Sequence, residues 1–421
     1  MLQPYKEYMY SYPHKTAYRP LGNLPFGEYR PHIMARGGDI YLHIPFCESK
    51  CGYCNLFSIT SKESGSLIDR YLDGMARHME QASCYGAPWT GLVIGGGTPL
   101  LLSVKQLSRL FQMAATYLGA DPRKVPASVE TSPRQTSSEK VELLSALGVG
   151  RVSIGVQSLV DDELIHLGRR HDANSSRLAL DLLAKAGFPC LNVDLIYGIP
   201  GQTQASLKYS LDGVTAYMPR EIFLYPLYIR PGTGLYGRAV ASADALDQYK
   251  FGRDYLLGQG YTQLSMRRFT KDAPSPGSCG FENSLAFGCG GRSYIGDIHF
   301  CWPYSTHPVQ CRQLVEEYII REDKTAILHG IRLNREEHKR RYIIKNLLSA
   351  RGISLAEYAS VFHGDLLSEF SFIHRLIKEG YIARSNGLLA LTPDGLAYSD
   401  AIGPMFISQE VRSRMEAYRD V

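Results

Sequence analysis

The sequence lacks any run of about 18 apolar residues, so no membrane-spanning helix is expected. Its start, MLQPYKEYMYSYPHKTAYRP, is polar and rich in tyrosine, without the apolar core of a secretory signal, and a cytoplasmic location is the expectation. Charge of one sign is also scarce. The 46 Lys and Arg against 41 Asp and Glu leave +5 over 421 residues, too thin an excess to announce a nucleic-acid partner. Internal repeats and low-complexity segments are missing, and 44% hydrophobic with 21% charged residues is ordinary globular usage, which excludes a disordered or fibrous chain. Nine cysteines is an odd count, and a chain long enough to bury an ample core has no need of disulfide staples. At roughly 150 residues per domain the length suggests two or three domains, or one large barrel with appendages.

What is present is an alternation of short apolar runs with longer helical stretches from about residue 39 to 300. The strand candidates are 39–46, 91–96, 127–131, 151–157, 190–198 and 221–229, each bounded by Gly, Pro or Asn as buried parallel strands usually are. Amphipathic candidates lie between them at 66–82, 103–118, 137–147, 174–187 and 203–216. These read as βαβ units around a parallel sheet. About six units suit a partial (β/α)6 barrel of the TIM-like kind, though a doubly wound open sheet satisfies the same periodicity. A Tyr-rich arm is expected over 1–38, the barrel over 39–300, a connecting segment over 301–330 and a separate domain over 331–421.

That last domain has a different texture. LNREEHKRRYIIKNLLSARG reads as a helix ended by Gly352, SLAEYASVF and DLLSEFSFIHRLIKEG as two more, and YIARSNGLLALT as a hairpin turning at Asn386-Gly387. Three helices and a hairpin outline a winged helix. The first helix is basic but interrupted by Glu336 and Glu337, and the presumed recognition helix, 366–379, is poor in Arg, so capping the barrel is a better reading than binding DNA.

Three of the cysteines crowd into HIPFCESKCGYCNLFS, a Cys-x3-Cys-x2-Cys run just after the first strand. Cys47, Cys51 and Cys54 supply soft thiolates of the kind that hold iron–sulfur clusters. Three thiolates are one short of the set that closes a four-iron cluster, which leaves one iron open to a ligand carrying an amine and a carboxylate. The competing reading is a Cys3His zinc site using His43, or incidental thiols. The remaining cysteines (Cys84, Cys190, Cys279, Cys289, Cys301, Cys311) have no ligand-like spacing and read as small buried hydrophobes. Gly95-Gly96-Gly97-Thr98-Pro99 closes the second strand, where glycines allow a backbone to approach a ligand closely; alone it would be a tight turn. Glu130 and Gln157 end their strands, where barrel sites gather functional groups. Asp194 lies in a run otherwise expected to be buried and needs a partner, either Arg169 or a cationic ligand.

The segments YLHIPFCESKCGYC, GGGTP, VETSP, RVSIGVQS, LGRRHD, NVDLIYGIPGQT and LYIRPGT occur in an order that resembles the radical S-adenosylmethionine (SAM) enzymes related to oxygen-independent coproporphyrinogen III oxidase. The resemblance runs from Tyr10 to the C-terminus. It implies a radical SAM partial barrel with a winged-helix-like C-terminal domain, and a [4Fe–4S] cluster on Cys47, Cys51 and Cys54 whose open iron binds SAM. It implies that Tyr41, Gly95, Glu130, Tyr228 and Arg292 contact this SAM, with Tyr41 and Glu130 nearest the chemistry. It further implies a second SAM at Tyr53, Gly96, Gly97, Gln157, Arg169 and Asp194, although an Arg169–Asp194 ion pair would explain two of these without a ligand. A flavodoxin or ferredoxin reductant is implied in the same way.

The chain departs from that family in places. It reads Cys54-Asn55-Leu56 where the oxidase continues Cys-Gly-Cys. Its arm, MYSYPHKTAYRPL (9–21), is similar to an oxidase segment that the related haem chaperones lack; its tyrosines either line a substrate channel or pack on the barrel. The stretch 265–297 keeps a GCGG turn but not the oxidase's substrate segment. Retention of the second-SAM positions together with loss of the oxidase's extra cysteine favours two-SAM C-methylation or cyclopropanation of a small metabolite or peptide. The alternatives are oxidative decarboxylation of a tetrapyrrole and a haem chaperone.

Overall fold

The structure, a computed structural model, describes residues 2–9, 11–60, 65–237, 244–272 and 282–418. Tyr10 of the arm, and Cys279 within the Pro/Ser/Gly stretch 273–281, lie outside the described residues. The chain forms two compact units. A barrel unit contains Tyr18–Ser242 and Glu282–Arg332; a terminal unit contains Met1–Ala17, Ala243–Phe281 and Leu333–Tyr418.

In the barrel unit six strands, β1 (Gly38–Ile44), β2 (Trp89–Gly96), β3 (Ala127–Thr131), β4 (Arg151–Gln157), β5 (Cys190–Tyr197) and β6 (Glu221–Pro226), pair in chain order, each parallel to the next. A doubly wound sheet would reverse its order part-way. Sequential pairing is that of a partial barrel, so the open-sheet alternative falls. The longer helices between the strands are Gly65–Ala82, Val104–Met113, Ser138–Ala146, Ala173–Ala186 and Gln204–Thr215, with the short helix Asp161–His166 after β4. Their starts follow from local chemistry. Ser103 and Thr203 form capping boxes with Gln106 and Ser206, and Asp172 accepts from the Ser175 N–H at 2.7 Å. The helix expected over 103–118 is α-helical only to Met113; one π turn carries it to Leu118, where Gly119 turns left-handed (φ 74°).

The strands bury one face completely, with Ile40, Leu42, Leu92, Ile94, Val129, Val152, Ile154, Val193, Leu195, Ile222 and Leu224 in the core. The alternate positions are different: Tyr41, Val93, Ser128, Glu130, Gly155, Asp194, Phe223 and Tyr225 are only half-buried. Alternation of period two in a parallel sheet means that the second face borders accessible space, and here it is largely polar.

Three boundaries differ from expectation. Residues 301–330 do not merely connect. They contain helix Pro308–Ile320, and strand Ile327–Arg332 pairs antiparallel with Ile298–Cys301 and with Arg19–Leu24. The sheet therefore grows past β1 through Ser284–Phe287, Arg292–Ile295 and these strands. The arm is split: Arg19–Leu24 is a strand of the barrel unit, whereas Met1–Ala17 belongs to the terminal unit. Tyr12, 1% exposed, lines no channel. Its hydroxyl donates to Glu337 and accepts from the Ser408 N–H, and Arg341 donates to its carbonyl at 3.0 Å. Last, Ala243–Phe281 clusters with the terminal unit instead of the barrel.

The terminal unit has the winged-helix outline: Arg335–Leu347, Leu355–Phe362, and a hairpin Ile382–Ser385/Leu388–Leu391 turning through Asn386 (φ 49°) and Gly387 (φ 76°). The presumed recognition helix is broken into Leu366–Glu369 and Ile373–Lys378. The cations of the first helix are used inside the unit, Lys339 on Glu369, Arg335 on the Phe362 carbonyl, Arg340 on the Phe406 carbonyl and Arg341 on Tyr12, which leaves them unavailable for phosphates. No helix among the described residues is long and apolar enough to cross a membrane.

Glu163, 4% exposed, ties the loop after β4 to the loop after β5 by accepting from Ser158 (2.6 Å), Gln202 (3.0 Å) and Ser206 (2.5 Å). Removing its carboxylate leaves buried donors unsatisfied. Chemical denaturation of Glu163→Ala is expected to show a loss of about 1–3 kcal/mol, whereas Cys84→Ala, at a fully buried thiol, stays within about 0.5–1.5 kcal/mol. Equal losses would contradict this division.

Candidate functional site

The thiol loop begins where Pro45 ends β1. Phe46–Cys47 pairs with Ile59–Thr60, and the Ile59 N–H reaches the Pro45 carbonyl at 2.7 Å. Between these ends, Gly52 donates to the Leu167 carbonyl (2.9 Å) and accepts from the Leu235 N–H (2.8 Å), while Tyr304 donates to the Asn55 carbonyl (2.5 Å). A Cβ on Gly52 would sit 2.8 Å from the Leu235 side chain, which is why this position carries none. The loop is thus fixed by the barrel before any metal enters.

Among the described residues, no three Cys, His, Asp or Glu side chains converge to hold one metal ion. His43 is engaged elsewhere, Nε2 at 3.0 Å from the Phe57 carbonyl and Nδ1 at 3.3 Å from the Tyr41 hydroxyl. Both ring nitrogens of His43 are thus taken up by hydrogen bonds, which weighs against its joining the three thiols in a Cys3His zinc site. Burial, then the neighbouring Cys54, pushes the Cys47 thiol up to about 12, and burial with Cys51 raises Cys54. A metal group must displace those protons, so its binding is coupled to proton release. Thr98 points its hydroxyl at Cys47 Sγ (3.7 Å), and Arg169 donates Nη1–H to Cys51 Sγ (3.1 Å).

Gly95, Gly96 and Gly97 form the seam beside this loop. The Gly97 N–H donates to the Ile44 carbonyl and the Thr98 N–H to the Phe46 carbonyl, both at 2.8 Å. A Cβ on Gly97 would lie 2.6 Å from the Phe46 carbonyl and 2.8 Å from Cys47 Sγ; one on Gly95 would lie 2.9 Å from the Glu130 carboxylate. Gly96, at φ 120°, donates its N–H to Glu130 at 3.1 Å. The GGGTP run is thus a line of close approaches and more than a turn. The GCGG turn works similarly from the other side: a Cβ on Gly290 would strike the His43 ring.

On the accessible barrel face, Glu130 and Asp194 are two carboxylates with little compensation. Burial, opposed by the Gly96 N–H and reinforced by Asp194, pushes Glu130 up to about 7. Burial likewise pushes Asp194 up to about 6, against the Asn192 hydrogen bond. The Asn192 amide donates to Asp194 (2.8 Å) and Ser153 (2.7 Å), and its Oδ1 is buried without a partner. Below them, Arg151 pairs with Glu221 at 2.8 Å and donates to Ser128 at 3.0 Å.

The Arg169–Asp194 ion pair does not form. Arg169 sends its other arm to the Gly155 carbonyl (2.8 Å), and its Nε is buried without a partner. Gln157, at φ 70°, sits on a register irregularity between β4 and β5, which re-aims its side chain against Gly155. Tyr53 packs on Leu167, Ile196, Ile199 and Leu227. Arg230 lies 5.4 Å over the Tyr228 ring, and Arg292 lies 5.8 Å over Tyr294 and opposes the burial that raises the Tyr41 phenol. Sequence reasoning missed Asn192, Ser153, Arg151, Glu221 and Thr98. The signal for Asn192 was available, since it is two residues from Asp194 on one strand and so shares its face.

Residues 41–212 match the model of the Radical SAM superfamily. A heme chaperone HemW from Bacillus subtilis is 28% identical over 387 residues, 88% of this chain and 99% of that protein. The oxygen-independent coproporphyrinogen III oxidase of Escherichia coli is 27% identical over 380 residues, 82% of this chain and 80% of that protein. A solved structure of the E. coli coproporphyrinogen III oxidase, itself described as a radical SAM enzyme, superposes with a TM-score of 0.81 at 23% identity, covering 96% of this chain and 99% of that one.

The two raised carboxylates predict a pH signature in the protein without ligands. Folded Glu130 holds its proton to about pH 7 while the unfolded side chain releases it near the ordinary value, so its contribution to stability is lost as pH rises. At about pH 5 Glu130→Gln should melt with the wild type, and at about pH 8 above it, because the variant buries no charge. Melting curves that stay parallel across that range would contradict the assignment.

Proposed function

Because residues 41–212 form a radical SAM domain, within a chain that folds like coproporphyrinogen III oxidase, we propose that Cys47, Cys51 and Cys54 hold a [4Fe–4S] cluster for the reductive cleavage of SAM. The observation that carries this reading is the pre-held loop: its backbone is anchored on Leu167 and Leu235, Cys47 Sγ lies against Gly97, Cys51 Sγ accepts from Arg169, and the Glu130 carboxylate borders the same glycine run. When bound, the cluster supplies an electron to SAM, giving methionine and a 5′-deoxyadenosyl radical that takes hydrogen from the substrate. Everything else is positioning and exclusion of water by the protein.

Glu130 and Asp194 are suited to cationic ligand groups, since a cation beside them replaces their protons and restores their charge. The Nε of Arg169 and Oδ1 of Asn192 are a buried donor and a buried acceptor awaiting a polar ligand. The half-buried phenol of Tyr41 and the backbone at Gly95 border the first SAM, with Tyr228 and Arg292 beside it. Tyr53, Gly96, Gly97, Gln157, Arg169 and Asp194 border a second. Free thiols and a reducible cluster support a reducing compartment, the cytoplasm, as the setting, and a flavodoxin or ferredoxin suits the role of electron donor.

The relatives support a tetrapyrrole as the ligand class, and the oxidase among them supports an oxidative reaction on it. The oxidase relative extends over four-fifths of its own length, and no relative reported above carries out methylation or cyclopropanation. The haem-chaperone reading rests on the B. subtilis relative, which the chain spans almost completely. Anaerobic incubation of the reconstituted protein with SAM, dithionite and coproporphyrinogen III separates these readings. Vinyl products with 5′-deoxyadenosine support the oxidative reading. S-adenosylhomocysteine in step with 5′-deoxyadenosine would replace it with methyl transfer, and haem binding with no 5′-deoxyadenosine would replace it with a chaperone. Loss of SAM cleavage in Cys47→Ala, Cys51→Ala and Cys54→Ala is expected in either enzymatic case.

A further inference from the structure

Arg169 is placed unlike an ordinary ligand-binding arginine. It follows the left-handed Gly168 (φ 67°) in the turn after helix Asp161–His166, and that turn also supplies the Leu167 carbonyl on which Gly52 of the thiol loop is anchored. The two ends of its guanidinium go in different directions. Nη1 donates to Cys51 Sγ at 3.1 Å, and Nη2 donates to the carbonyl of Gly155, near the end of β4, at 2.8 Å. Gly155 stands opposite Asp194 in the β4–β5 ladder, and its missing Cβ is filled by the Gln157 amide. One planar cation thus bridges a thiol of the cysteine loop to the strand end that carries the polar barrel face.

We propose that Arg169 is a positioning residue that donates an N–H···S hydrogen bond to a cluster thiolate and thereby raises the reduction potential of the [4Fe–4S] cluster. The inference rests on the cluster assignment above and goes beyond it. Adding an electron makes the cluster and its thiolates more negative, so a fixed positive donor at one sulfur stabilises the reduced state more than the oxidised one. Lys50 donates to the Thr306 carbonyl at 2.5 Å, whereas Arg169 donates directly to a loop sulfur. A lysine at 169 would bring a charge but not a planar fork spanning both acceptors.

The test is a potentiometric titration of the full-length protein, reconstituted anaerobically and read by absorbance and electron paramagnetic resonance without SAM. Iron content is measured on the same samples. In Arg169→Gln the cluster should form, and at the wild-type midpoint its ratio of reduced to oxidised cluster should fall about tenfold, a shift of ~59 mV to more negative potential for one electron. Arg169→Lys should shift less in the same direction. An unmoved midpoint at equal iron content overturns the inference while leaving the cluster in place. If Arg169→Gln holds no cluster, Arg169→Lys decides: a midpoint below the wild type supports the role, and one equal to it rejects it. A wild-type protein that binds no cluster defeats the underlying functional reading instead.

Discussion

The structure depends on one seam, where the end of β1 and the first residues of the thiol loop lie against Gly95, Gly96 and Gly97. Two backbone hydrogen bonds of 2.8 Å, Gly97 to Ile44 and Thr98 to Phe46, hold the seam, and it admits no side chain on the glycine strand. Cys47 is brought to the Gly97 backbone and Glu130 to the Gly96 N–H by the same approach. A bulkier residue here would separate the thiols from the carboxylate face whatever the rest of the barrel did. Backbone–backbone bonds in a sheet are also the part of a fold least able to shift, which suits a loop that must present three sulfurs to a group it does not itself contain.

Around that seam the barrel face is charged in an unusual way. Arg151 and Glu221 pair low on the face; Glu130 and Asp194 stand above them under-compensated, and Arg169 has turned away toward Cys51. An interior built only for stability would have closed these charges on one another, as an Arg169–Asp194 pair would have done. Leaving two carboxylates that burial makes reluctant to ionise, with a donor at Arg169 Nε and an acceptor at Asn192 Oδ1 unmatched, lowers stability in the absence of ligand. The geometry is that of a surface prepared for a polar, cationic ligand.

Much of this was legible in the sequence because the residues concerned are local. The strands at 127–131 and 151–157 are observed at the expected bounds, since β-branched runs closed by Gly, Pro or Asn identify buried parallel strands well. The cysteine spacing and the glycine run mark the site directly. What stayed hidden depends on contacts between distant segments. The partner of Arg169 is 118 residues away, and a carboxylate in a motif was a more obvious choice than a thiol. Residues 301–330 looked like a connector because strand Ile327–Arg332 pairs antiparallel at the sheet extension, outside the βαβ period. The arm left a channel lining and packing both open because nothing local shows that Tyr12 meets Glu337, 325 residues on. Asn192 escaped for a different reason: a buried amide within an apolar run reads as a tolerated exception until its neighbours are seen.

The most direct test of the central claim is a metal and sulfide count on anaerobically reconstituted protein, followed by paramagnetic resonance of the reduced sample with and without SAM. Four iron and four sulfide per chain, with a spectrum that changes on adding SAM, is the result expected of three thiols that leave one iron open. A single zinc or iron per chain, or a cluster spectrum indifferent to SAM, would contradict it.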